Sequence, residues 1–322
     1  MKEGRGVIRW ILAAPLGLLV AAGFYQEGAP TASKTQEPQN YTIRTTSRLV
    51  LLDVSVKGRE GGFVSGLTQE NFKVYENGKL QQITQFANAD IPVTVGILVD
   101  ESGSMRPKRP EVIAAAVEFI KASNSQDEVF VINFNEKARR GLPDTVLFSD
   151  KIDQLRAALW QGIPEGRTAL YDAIEMALHQ TDMGRRDKKT LLVISDGGDN
   201  ISTHKFPAVM HDVLESIVTI YTVGIFDEDD PERNPGVLKQ LAQVSGGSVY
   251  FPKSLEEVVP ICRQIAKDVR TRYTIGYIPE VNNGKPERQI KVEASSPSGQ
   301  KLIVRTRTRY TFTPDSLEAG KK

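Results

Sequence analysis

Val95-Gly96-Ile97-Leu98-Val99-Asp100-Glu101-Ser102-Gly103-Ser104-Met105 is a short apolar run that stops abruptly in Asp-x-Ser-x-Ser. A run of about five apolar residues bounded by turn residues has the pattern of a strand buried on both faces. Its carboxyl end carries only oxygen donors. One carboxylate and two hydroxyls at alternate positions converge on one point if the chain turns tightly there, and Gly103 supplies the backbone freedom for that turn. Oxygen-only ligation suits a hard cation such as Mg²⁺. Taken alone, the motif also reads as a loop whose hydroxyls cap the next helix, and in isolation that is the safer account.

Working outward, strand and helix patterns alternate from Pro92 onward. Strands are expected at residues 93–99, 128–134, 190–195, 217–225 and 247–251, and helices at 110–123, 150–160, 168–181, 205–216, 235–244 and 254–272. Such alternation predicts an α/β domain with a mostly parallel sheet covered on both faces. Helix boundaries have chemical support. Pro110 and Pro235 fit first-turn positions, Gly246-Gly247 follow a helix end, and Ser254 with Glu257 has the spacing of a capping box. Leu255, Val258, Val259, Cys262, Ile265, Ala266 and Val269 share one face of the last helix, so that face packs on the sheet. Pro260 is expected to remove one backbone hydrogen bond and kink it.

The flanks are strand-like. Residues 41–90 contain Leu49-Val50-Leu51-Leu52, Val54-x-Val56, Phe63-Val64, Phe72-x-Val74 and Ile83-x-x-Phe86, with Asn77-Gly78 marking a hairpin turn. Residues 271–313 return to strands, with turns at Asn282-Asn283-Gly284 and Ser298-Gly299. Each flank alone is marginal in size, so the two are expected to be halves of one sheet in a small all-β domain, with the α/β domain inserted between them.

At 322 residues, 40% hydrophobic and 25% charged, the chain has the composition of a folded globular protein. A net charge of +1 with both signs mixed along the chain gives no electrostatic footprint for nucleic acid or an anionic membrane surface. Residues 1–25 read as an export signal. Lys2, Arg5 and Arg9 precede an apolar block of about 16 residues, Trp10 to Tyr25, shorter than the roughly 20 that span a bilayer. The expected location is therefore periplasmic or secreted, with membrane attachment only if that segment stays uncleaved. Residues 26–40 read as a flexible linker and 314–322 as a disordered tail. The single cysteine, Cys262, cannot form an internal disulfide and reads as a buried thiol.

Ligands collect at the strand carboxyl ends of a parallel sheet, where strand order reverses. Besides Asp100–Ser104, two stretches fall on that edge: Gly166-Arg167-Thr168-Ala169-Leu170, a loop that opens a helix, and Leu192-Val193-Ile194-Ser195-Asp196-Gly197-Gly198-Asp199-Asn200, an apolar strand ending in a carboxylate and two glycines. Together the three resemble the metal-ion-dependent adhesion site of von Willebrand factor type A domains, whose motif is Asp-x-Ser-x-Ser, a later loop threonine and a later aspartate after a strand. The resemblance covers roughly residues 91–270 and implies a Rossmann-like, doubly wound, mostly parallel α/β sheet there. It implies Mg²⁺, or Mn²⁺, with Ca²⁺ also possible, ligated by Ser102, Ser104 and Thr168, while Asp100 and Asp196 act directly or through water. It further implies that an acidic side chain of another protein takes an open position on the metal. The wider layout is similar to von Willebrand A-related proteins described from acidobacteria, on the Val54-x-Val56 strand, Gly66-Leu67-Thr68-Gln69-Glu70-Asn71-Phe72 and Tyr273-Thr274-Ile275-Gly276-Tyr277.

Neighbouring groups have plainer readings beside functional ones. Asp227-Glu228-Asp229-Asp230 is a solvated acidic loop or a Ca²⁺ site. Asp172 and Glu101 are candidates to support the ligands from behind. Asp199 either hydrogen-bonds to the site or only shapes its loop. His179, His204 and His211 have no metal-binding spacing. Three functions follow in order of preference. The first is an exported, non-enzymatic, metal-dependent binding module. The second is an assembly protein that pairs strands through its β domain while the metal stiffens loops. The third is a Mg²⁺ phosphohydrolase, which would want a second catalytic aspartate and a lysine nearby. No Gly-x-Ser-x-Gly elbow or Walker-type phosphate loop is present.

Overall fold

The strand centred on Ile97 is buried at every position from Val93 to Asp100, so the run of apolar residues has no wet face. In the computed structural model, residues 49–227, 231–280 and 286–312 are described. The expected signal, linker and tail, the Asn282–Gly284 turn and Glu228–Asp230 lie outside them.

Four strands come first: β1 (Val50–Gly58), β2 (Phe72–Glu76), β3 (Lys79–Gln81) and β4 (Ile83–Ala87). The alternating part follows with β5 (Val93–Asp100), α1 (Arg109–Lys121), β6 (Glu128–Phe134), β7 (Ala138–Arg140), α2 (Ile152–Leu159) and α3 (Leu170–Asp182). It continues with β8 (Lys188–Ser195), α4 (Phe206–Glu215), β9 (Thr219–Gly224), α5 (Pro235–Ser245), β10 (Val249–Tyr250) and α6 (Val258–Thr271). Then come β11 (Tyr273–Tyr277), β12 (Glu287–Ala294), β13 (Leu302–Arg305) and β14 (Arg309–Thr311).

The middle elements form one sheet in the order β10-β9-β8-β5-β6-β7. Its pairs are parallel except β6 with β7. The chain leaves β5 toward β6 and later reaches β8 on the other side of β5, so strand order reverses between β5 and β8. That is where a doubly wound sheet opens a crevice. The three-residue strand β7 carries no pattern long enough to be read from sequence.

The flanking strands interleave, as expected, but they build two sheets rather than one. Their orders are β13-β1-β11-β4 and β14-β12-β2-β3, each mixing strands from both flanks. Leu52, Val54, Tyr273 and Ile275 of the first sheet share one hydrophobic cluster with Phe72, Val74, Ile290 and Val292 of the second. A single sheet would leave one of these apolar faces in water. Between β2 and β3, Asn77 (φ 49°) and Gly78 (φ 80°) make the expected tight turn with both residues left-handed.

Helix ends agree in part. Pro110 and Pro235 lie in first turns, Asn234 Oδ1 accepts from the Val237 N–H, and Gly246 (φ 83°) ends α5. Pro260 does not kink α6. The α-helix starts at Val258, after a 3₁₀ turn at Leu255–Glu257, so Pro260 sits in its first turn, where a missing N–H costs nothing. Ser254 and Glu257 form no capping box, because the Ser254 side chain caps nothing and the Glu257 carboxylate accepts from the Lys253 N–H at 2.9 Å. Cys262 is fully buried, and burial pushes its thiol up to about 12. No helix among the described residues is long and apolar enough to cross a membrane.

One polar cluster lies inside the β sandwich. Glu76 accepts from Arg288 Nη1 and from the hydroxyls of Tyr277 and Tyr310, each at 2.7 Å, and all four residues are buried. Replacing Arg288 by Met would leave a buried carboxylate without its counter-ion. The expected cost is about 3–5 kcal/mol, read as a lower denaturant midpoint. An unchanged midpoint would show that the ion pair is not a stabilising element.

Candidate metal centre

Asp100 is the last residue of β5, and Asp196 directly follows β8, so the reversal point brings two carboxylates to one edge. Both are nearly enclosed, 2% and 3% exposed. The Asp100 carboxylate accepts from the Ser102 N–H at 2.9 Å and from Ser195 Oγ at 2.6 Å. Burial, reinforced by the negative charge of Asp196, pushes Asp100 up to about 7. Asp196 Oδ1 accepts from the Gly198 N–H at 3.0 Å.

The hydroxyls complete a chain between the two acids. Ser102 Oγ lies 3.1 Å from Ser104 Oγ, and Ser104 Oγ donates to Asp196 Oδ2 at 2.7 Å. Neither serine side chain caps the turn that follows Ser102. The capping account of Asp-x-Ser-x-Ser therefore fails, and the hydroxyls face the second carboxylate instead.

Thr168 arrives on a separate loop. Its backbone N–H donates to Asn200 Oδ1 at 2.9 Å, and its carbonyl accepts from the Asn200 N–H at 3.0 Å. This clamps the Thr168 loop to the loop after Asp196. The Gly103 N–H donates to the Gly166 carbonyl at 3.1 Å, joining the same loop to the Asp100 turn, and the Ala169 N–H donates to the Asn135 carbonyl at 2.7 Å, joining it to the end of β6. Direct side-chain contacts link Ser102, Ser104 and Asp196, while Asp100 and Thr168 join through backbone and neighbours.

The residues behind the site are mostly loop builders. Glu101 is buried and ion-paired with Arg109 at 3.0 Å, with Arg139 at 3.5 Å. Arg109 also donates to the carbonyls of Trp160, Gln161 and Gly162, so the pair pins the 160–162 turn beside the site. Asp199 accepts from the Tyr171 N–H at 2.9 Å and from Ser202 Oγ at 2.5 Å, which is loop duty. Asp172 accepts from the backbone of Thr203 and His204 and from the His204 ring. Burial would raise the Asp172 carboxyl, but these donors outweigh it and hold it low, while Asp172 holds the His204 imidazole high. Asp227 pairs with buried Lys108 at 2.8 Å. His211 stands with Asp212 and Glu215 on α4, their ligand atoms within 4.8 Å of one another. Ser195 and Asn200 hold the site together without any signal in the sequence. Both lie in the stretch around Asp196, but their partners are 95 and 32 residues away, and sequence spacing alone does not reveal such pairings.

The donor set fits a hard divalent cation. All five side chains offer oxygen, and two buried carboxylates share one edge where a cation would compensate them. Residues 95–198 match the family model of the von Willebrand factor type A domain. The chain thus carries a von Willebrand factor type A domain, with the mostly parallel α/β sheet that the alternation predicts.

Among solved structures, the chain is similar to a von Willebrand factor type A protein from Catenulispora acidiphila (17% identity, 85% of this chain and 76% of that one, TM-score 0.48). It is also similar to the von Willebrand domain of the type V pili tip protein Mfa5 from Porphyromonas gingivalis (13%, 56% and 96%, TM-score 0.48). A third is proximal thread matrix protein 1 of the mussel byssus, described with a zinc-occupied MIDAS motif (15%, 56% and 48%, TM-score 0.47), so the match spans about half of that protein. These are likenesses of fold, and the site is read from its own residues. A search of curated proteins gave no match.

Gly162 has a positive φ of 90°, and a Cβ there would run into Glu101 Oε2. Gly162→Ala should cost about 1–2 kcal/mol from the backbone alone and displace Glu101 as well. The melting temperature measured in EDTA should fall. An unchanged value would show that the 160–162 turn is not packed as described.

Proposed function

We propose that the carboxyl edge of the parallel sheet binds Mg²⁺ or Mn²⁺ through Asp100, Ser102, Ser104, Thr168 and Asp196, and captures an acidic side chain of another protein. The observation that carries this reading is the Ser102–Ser104–Asp196 chain, bonded across 92 residues of sequence, with the Asp100 carboxylate buried beside it. When bound, the metal supplies an electrophilic centre for a carboxylate oxygen. With the hydroxyls of Ser102, Ser104 and Thr168 as its direct donors and the carboxylates reached through water, the metal would have little negative charge in direct contact, and Mg²⁺ keeps exchangeable waters.

The chain's own residues do the rest. Ser195 and the Ser102 N–H hold the Asp100 carboxylate, Gly198 holds Asp196, and the Asn200 clamp sets the Thr168 loop. Around them the loops expose Ile163, 65% accessible, with Trp160, Arg106 and Arg167 also exposed. Apolar contacts with basic groups nearby suit a partner that presents a carboxylate among apolar residues. Lys108, the buried lysine of the same loop, is engaged by Asp227 and the Ile225 carbonyl, and no general acid or base is needed for docking. Export through residues 1–25, to the periplasm or beyond, belongs to the same reading.

An array of peptides in matched Glu and Gln versions, probed with the full chain, tests the site. In Mg²⁺, Glu peptides should be retained over their Gln counterparts by at least about tenfold. EDTA or Asp100→Ala should abolish the preference. Retention indifferent to chelation and to Asp100→Ala would overturn metal-mediated docking.

A further inference from the structure

At the amino ends of β8 and β9, the end of the sheet away from Asp100, the α/β part meets β1, β4 and β11 around a cavity of about 260 Å³. Its walls are mostly apolar and include Leu51, Leu52, Ala87, Ile91 and Ile217. Five charged residues line it, Asp53, Asp187, Lys188, Lys189 and Arg307, and of the two lysines Lys188 is paired with Asp53 while Lys189 donates to the Thr181 carbonyl. Asp53 is already taken, since its carboxylate lies 3.0 Å from Arg272 Nε and 3.5 Å from Lys188 Nζ.

Arg307 is different. It is 8% exposed, and no carboxylate lies within ion-pair reach among the described residues. Its Nη2 donates to the carbonyls of Leu214 at 3.1 Å and Ser216 at 2.5 Å, at the carboxyl end of α4. A cation there gains from the helix dipole, but that contact uses one nitrogen of the guanidinium. Nε is buried without a hydrogen-bond partner, and Nη1 donates to no protein group among the described residues. Burial pulls the guanidinium down to about 10, a mark of how little opposes its charge. A buried cation with unused donors is costly by itself and strong toward an anion brought to it.

We propose that this cavity binds a small organic monocarboxylate, with its carboxylate on the Arg307 guanidinium and its hydrocarbon part against Leu51, Ala87 and Ile217. A monoanion fits better than a phosphate dianion, because Asp53 and Asp187 also line the cavity and would repel a second charge. The volume lies just below the ~300–1,000 Å³ of sites for drug-sized ligands, which suits a short chain. The site is independent of the metal edge, so its ligand binds with or without Mg²⁺.

Titration of the full chain with hexanoate at constant ionic strength, by calorimetry and thermal shift in EDTA, is the test, with hexanol and chloride as controls. Hexanoate should bind at least about tenfold more tightly than hexanol. Arg307→Met should weaken it about tenfold or more. Ala87→Leu, which narrows the cavity and keeps the guanidinium, should weaken it too. If Arg307→Met fails to fold by circular dichroism, Ala87→Leu and the hexanol comparison decide. No hexanoate binding, equal effects of hexanoate with hexanol or chloride, or full affinity in Ala87→Leu would overturn the proposal.

Discussion

Two buried carboxylates held at one edge are the constraint on which the functional half of this protein depends. Burial disfavours the charged form of Asp100 in a place where water screens little, and the negative charge of Asp196 beside it adds to that cost. The fold meets that cost with fixed donors. Ser195, Ser104, the Ser102 N–H and the Gly198 N–H all point at these two groups. Ser195 ends β8, and the other donors sit on the loops that leave β5 and β8, strands buried along nearly all of their length, so the core fixes the site geometry. The remaining imbalance of negative charge is what a divalent cation would neutralise.

A second buried polar group ties the α/β part to the β sandwich. Arg272, between α6 and β11, is 1% exposed. It donates to the Tyr221 hydroxyl at 2.8 Å and the Gly246 carbonyl at 2.7 Å, and pairs with Asp53 of β1 at 3.0 Å. Burial alone would disfavour its charge, and Tyr221, Asp53 and Asp268 outweigh that. Asp268 of α6 accepts in turn from Tyr221 at 3.0 Å and from Ser55 of β1 at 2.6 Å. The last helix is therefore bonded to both parts, through side chains that are expensive to leave unpaired.

What sequence reveals and what it hides divide along one line. Buried strands such as β5, the Asn77-Gly78 turn and the first-turn prolines are local consequences of side-chain chemistry, and they stand where the pattern puts them. The Asp-x-Ser-x-Ser stretch, Thr168 and Asp196 were legible because each follows a strand or opens a helix on one predictable edge. The splitting of the flanks into two sheets was not legible, because alternation specifies which face is buried but not against what. Pro260 lies in the first turn rather than the interior because the α-helix starts at Val258, four residues after the expected start at residue 254, with a 3₁₀ turn at Leu255–Glu257 in between that the sequence pattern does not distinguish from α-helix. Arg272 and Arg307 carry no local signature at all. Each reads as a surface residue until the far chain closes over it.

A Mn²⁺ soak of crystals of the protein, followed by an anomalous difference map, tests the account most directly. The account predicts one strong peak bounded by Asp100, Ser102, Ser104, Thr168 and Asp196, absent in Asp100→Ala. An edge that stays empty at saturating Mn²⁺, or a peak only at His211, Asp212 and Glu215, would contradict it.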